Sequence, residues 1–110
     1  MADAKAWSVS IALGHEARRR GRIEEALSHY YAALRIAPEE AETNSVYGLM
    51  LLHANRIDEA VSYLERAIEL DPAHRGARLN LAELRVMQND IDSATRIVES
   101  LATETPQPPL

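Results

Sequence analysis

The stretch NRIDEA, residues 55–60, has near-copies in GRIEEA at 21–26 and NDIDSA at 89–94, each beginning 34 residues after the one before. A fixed period of that size is the mark of stacked supersecondary units, each too small to bury its apolar side alone. Three segments come into register: 7–40, 41–74 and 75–108. Their columns agree. Prolines stand at Pro38, Pro72 and Pro106, isoleucines at Ile23, Ile57 and Ile91, alanines at Ala26, Ala60 and Ala94. A small-residue column reads Gly14, Gly48, Ala82, preceded by Leu13, Tyr47, Leu81.

The quoted stretch also divides each unit. Gly21, Asn55 and Asn89 are residue types that tolerate the left-handed conformation closing a helix. The acids that follow, Glu24-Glu25, Asp58-Glu59 and Asp92, suit the positive end of a new helix. That helix must stop before the proline, which pushes its predecessor out of the helical region. The expected helices are 7–20, 24–37, 41–54, 58–71, 75–88 and 92–104. A short tail, 1–6, precedes a single domain over 7–105, and a Pro-rich tail, 106–110, is expected to be extended and mobile. Gly14 with Ala26, Gly48 with Ala60 and Ala82 with Ala94 let paired axes approach. Leu13, Tyr30, Tyr47, Leu64, Leu81 and Val98 are expected to fill the space beside them.

Composition agrees with an all-helical chain. Good helix formers abound, Phe is absent, and strand-like runs are missing. With no cysteine, disulfides, thiolate metal sites and cysteine catalysis are excluded. No leader pattern or long apolar run is present, so neither secretion nor a membrane span is expected, and the expected location is the cytoplasm. The net charge of −5 argues against nucleic acid as a partner. Charge is uneven: units one and three carry near-equal acids and bases, whereas residues 41–74 hold 2 bases against 6 acids.

These columns resemble the tetratricopeptide repeat (TPR) family, whose unit is a 34-residue helix–turn–helix with an early Leu-Gly pair, a later Ala-x-x-x-aromatic spacing and a terminal proline. Leu13-Gly14, Ala26 with Tyr30, Ala33 and Pro38 carry the match in unit one. Tyr47-Gly48, Ala60, Leu64, Ala67 and Pro72 carry it in unit two. Leu81-Ala82, Ala94, Val98, Leu101 and Pro106 follow it more loosely. The family's early Trp column holds Ser10, Asn44 and Arg78 instead. The resemblance implies an all-α solenoid of three repeats in a right-handed superhelix, with first helices lining a concave groove.

In that arrangement the groove would draw on Ile11 and His15 from unit one, Val46, Leu49, Leu52 and His53 from unit two, and Leu79, Asn80, Glu83 and Met87 from unit three. An exposed apolar strip there would mark an interaction site for a protein or peptide partner. Family members that bind heat-shock chaperone tails use a clamp of Lys, Asn, Asn, Lys and Arg. The matching positions hold Ile11, His15, Val46, Gly76 and Asn80, which argues against such tails. An asparagine column used elsewhere in the family survives only as Asn80, beside Ala12 and Val46.

Catalysis finds no support in the sequence. The four histidines, His15, His29, His53 and His74, show no i, i+4 pair, and HExxH, a phosphate loop and a nucleophile–base pair are missing. No metal and no cofactor are expected. At the last helix, Thr95, Ala102 and Glu104 replace apolar residues and read as a cap, while Ile91, Ile97 and Leu101 stay apolar. The cap is incomplete, which leaves room for weak self-association through this end. The reading is a protein-interaction module, with a regulatory or oligomerising domain of a longer enzyme as its rival.

Overall fold

The computed structural model describes residues 3–104. Its helices are α1 (Ala4–Arg19), α2 (Ile23–Ile36), α3 (Ala41–His53), α4 (Ile57–Leu70), α5 (Arg75–Met87) and α6 (Ile91–Glu104). No strand occurs among the described residues, and the helices pair as α1–α2, α3–α4 and α5–α6 before stacking in order. The Pro-rich tail 106–110, and with it Pro106, lies outside the described residues.

The repeated hexapeptide closes one helix and opens the next. Gly21, Asn55 and Asn89 have φ of 73°, 62° and 61°. In that left-handed conformation the next amide turns back over the helix end. Arg22 N–H donates to Ala17 O at 2.9 Å, Arg56 to Leu51 at 2.8 Å and Asp90 to Arg85 at 2.7 Å. This is the Schellman closure, and it satisfies carbonyls that a helix end otherwise leaves unpaired. The isoleucine of each copy then begins the second helix, with the acids in its first turn.

One boundary differs from expectation by more than a residue. Residues 4–6, assigned by sequence to a tail, form the first turn of α1. Asp3 caps that turn, its Oδ1 accepting from the Ala6 N–H at 3.0 Å, and an N-cap of this kind stabilises by about 1 kcal/mol.

Packing within a unit rests on the small column. A Cβ added at Gly14 would collide with the Tyr30 ring, and one at Gly48 would lie 2.8 Å from Leu64 Cγ. Tyr30, Tyr47 and Leu64 are buried as expected, and Leu81 is half-buried. Leu13 and Val98, expected beside them, are instead exposed. Both sit at an end of the described stack, with a neighbouring unit on one side.

The middle unit is enclosed from both sides. In α3 every residue from Thr43 to Gly48 is buried, as are Met50, Leu51 and Leu52. Its buried polar groups all find partners. Trp7 Nε1–H donates to Thr43 Oγ1 at 2.8 Å. Asn44 Nδ2 donates to the carbonyls of Pro38 at 2.9 Å and Glu40 at 3.0 Å, fixing the bend after the first unit. At the far end, Thr95, Ala102 and Glu104 face solvent as expected of a cap. Leu101, expected to stay open, is buried, because its column (Ala33, Ala67, Leu101) faces inward in every unit. No described helix is long and apolar enough to cross a membrane.

Candidate functional site: the seam between α3 and α5

The first helices of units two and three lie side by side, and cross-links define the seam. Asn80 Nδ2 donates to Ser45 Oγ at 3.1 Å. One turn pair further on, His53 Nε2 and Glu83 Oε1 are 3.4 Å apart. Ser45, Leu49 and His53 follow one another at four-residue intervals, so they form a single stripe along α3 facing α5. Leu49, between the two cross-links, is half-buried and is the apolar member of that stripe that remains accessible. On α5, Glu83 is exposed, and so is Met87 one turn further along the helix.

A second link ties the starts of these helices. His74 caps α5, its Nδ1 accepting from the Ala77 N–H at 2.9 Å. That leaves the proton on Nε2, which donates to Glu42 at 2.7 Å. His74 and His53 therefore hold α3 against α5. Within unit one, His15 Nδ1 and the Tyr30 hydroxyl are 2.6 Å apart, with the rings edge to face. Burial, then the Arg18 charge, hold the His15 imidazole below its ordinary value, against an opposing pull from Glu42. Burial raises the Tyr30 hydroxyl. The two groups thus share a hydrogen bond as neutral partners.

The expected groove residues sort into three groups. Ile11, Val46 and Leu52 are corrected to core: all are buried and belong to one hydrophobic cluster. Helical spacing puts them on the groove side of each helix, but the neighbouring unit covers that position. His15 and Asn80 are half-buried and committed to Tyr30 and Ser45. Leu49, His53, Glu83 and Met87 keep accessible surface on the seam. Leu79 is exposed too, but it joins Val86, Ile91 and Val98 around an apolar hollow between α5 and α6, at the end of the stack.

Sequence reasoning missed a tyrosine row that bridges units one and two. The Tyr31 and Tyr47 rings lie 6.0 Å apart, and Tyr47 meets Tyr63 edge to face at 4.8 Å. These tyrosines occupy different repeat columns, so no periodicity announces them. Among the described residues no group of three His, Asp or Glu side chains could hold a metal ion.

The description "Tetratricopeptide repeat" matches the chain over residues 11–73 and again over 51–110. The chain belongs to the tetratricopeptide repeat family. Among curated proteins it is similar to the inactive TPR repeat-containing thioredoxin TTL3 of Arabidopsis thaliana, 33% identical over 84 residues. That match covers 76% of this chain but only 12% of the relative. Among solved structures, the second TPR of Spaghetti (RPAP3) bound to the HSP90 peptide SRMEEVD superposes with a TM-score of 0.81. It is 17% identical, over 90% of this chain and 92% of that one. The TPR2B domain of yeast Sti1 in complex with pHsp70 also gives 0.81, at 22% identity, over 87% and 77% of the two chains. At such identity these neighbours establish the fold.

They also correct the stance on chaperone tails. Two TPR domains of this shape are bound to HSP90 and Hsp70 partners. The exclusion of heat-shock chaperone tails, drawn from five clamp columns alone, is therefore withdrawn.

Proposed function

We propose that these three repeats form a protein-interaction module that receives a peptide or helix of a partner protein on the seam between α3 and α5. The observation that carries this reading is Leu49. It is an apolar side chain that packs against the core cluster yet keeps part of its surface accessible, framed by the Asn80–Ser45 hydrogen bond on one side and the His53–Glu83 pair on the other. An apolar anchor from a partner would cover Leu49 and Met87. His53 and Glu83, both exposed, would supply polar contacts at the rim, the usual arrangement of an interface centre and its border. The reading is supported by family membership and by neighbours of the same fold held with chaperone peptides.

The test is capture of partners from the source extract by the wild-type chain and by Leu49→Glu and Met87→Glu. Loss of the same retained protein with both variants, at preserved helical content, supports the seam. Retention by both variants would place the contact elsewhere.

A second reading is favoured by the relative lengths. The chain spans 12% of TTL3, so the repeats would serve as the regulatory or oligomerising part of a longer protein. Reading the gene past Leu110 tests this: open frame into a catalytic domain supports it, and a stop codon does not.

A further inference from the structure

The two ends of the stack expose the halves of a junction that the chain builds twice inside itself. In unit two, Leu64, Ser45 and Leu52 are 0%, 1% and 0% exposed, and α5, the first helix of the next unit, stacks against both helices that carry them. Their counterparts one repeat later are Val98, Leu79 and Val86, at 50%, 43% and 52%. Among the described residues no helix covers them. The other end shows the converse. Thr43 and Tyr47 on α3 dock onto unit one and are 0% and 8% exposed, while their counterparts on α1, Val9 and Leu13, are 50% and 46% exposed.

From this we infer that the open face of α5 and α6 is a docking site for α1 of a second copy of the chain, so that copies join head to tail and continue the solenoid. The internal junctions supply the register. Asn80 meets Ser45 where units two and three join. One unit on, the same two positions pair Leu79 with Ala12 of the incoming copy, an apolar match. Arg56 is paired first with Glu59 and feels the Glu24 charge more weakly across the first junction, and the equivalent positions at the new junction are Asp92 and Arg22 of the second copy, again acid against base. The hollow itself is rimmed by Glu83 and Glu99, with no basic residue in its lining. The helix that would enter it carries a base at Lys5 and no acid before Glu16. Such a contact uses different patches on the two partners. It adds copies without a fixed end unless the rotation happens to close.

Sedimentation equilibrium of the 110-residue chain, up to about 1 mM, tests the inference. The average mass should climb with concentration beyond that of a dimer. Leu13→Glu blocks the α1 face and Val98→Glu blocks the α6 face. Both side chains are half exposed, so both variants should keep the helical circular dichroism of the parent. Each variant alone should raise the dissociation constant at least about 10-fold. Mixed in equal amounts, the two should form heterodimers and nothing larger, because one intact face of each kind remains. A strictly monomeric parent overturns the inference. So does an unaffected Leu13→Glu beside a monomeric Val98→Glu, which would mean that copies meet through α6 on both sides. These variants lie away from Leu49 and Met87, so partner capture and self-association fail separately.

Discussion

Gly14 lies against the edge of the Tyr30 ring so closely that a Cβ on residue 14 would collide with it. The same position is graded along the chain. Gly48 faces Leu64, whose nearest carbon would be 2.8 Å from an added Cβ. In unit three the small residue is already Ala82, and the facing side chain has shrunk to Val98.

That grading fixes the expected order of damage. Gly14→Ala should destabilise most, since a buried, rigid ring must move and the His15–Tyr30 hydrogen bond moves with it. Overpacking of this kind costs about 1–3 kcal/mol, more than the roughly 1 kcal/mol that alanine gains over glycine in a helix. Gly48→Ala should cost less, because a leucine can change rotamer. Ala82→Gly should cost only the helix propensity. Urea denaturation of the three variants checks the series. Equal losses at Gly14 and Gly48 would contradict it.

The fold was legible because repetition multiplies weak signals. A single Asn55 says little, but Gly21, Asn55 and Asn89 at one spacing predict three helix closures, and all three adopt the left-handed φ. The site was less legible. Periodicity gives the direction a side chain points from its own helix, not whether another helix stands there. Ile11, Val46 and Leu52 point toward the groove and are covered. One signal could have warned of this. From Thr43 to Leu52 the sequence TNSVYGLMLL carries no charge, and a helix without a charged face is enclosed on all sides. The tyrosine row and the Trp7–Thr43 bond had no such signal, since each joins side chains from different columns.

Leu52 and Val86 hold the same repeat position with opposite surroundings, one buried and one exposed. Leu52→Ala should therefore cost about 2–5 kcal/mol, the range for a leucine emptied from a core. Val86→Ala should stay within about 0.5 kcal/mol, as surface changes do. Melting both variants in dilute solution, which disfavours self-association, measures the contrast. A large loss from Val86→Ala under those conditions would mean that the end of the stack is covered in the monomer.

The His15 imidazole gives the domain a pH dependence of known sign. In the unfolded chain it titrates at its ordinary value of 6.5, while in the folded chain burial and Arg18 hold it lower and Glu42 only partly offsets them. Just below pH 6.5 the unfolded state therefore binds more protons, and stability falls as the pH falls. The loss grows until the folded imidazole also takes its proton, then levels. Above the ordinary value the stabilisation is complete. Carboxyls that also shift are lowered: Glu16 by its hydrogen bond to Arg19, Glu59 by Arg56, Asp90 by Ser93 and Glu104 by Arg78. Their contributions are lost only at more acidic pH. His15→Gln removes the titrating group while keeping a polar side chain near Tyr30. The stability difference between wild type and His15→Gln should be greatest near pH 8 and shrink toward about pH 5.5. Melting temperatures of both proteins across that range read it directly. A difference that stays constant would mean that His15 titrates alike in the folded and unfolded chains, and that the contact with Tyr30 is not made in a buried setting.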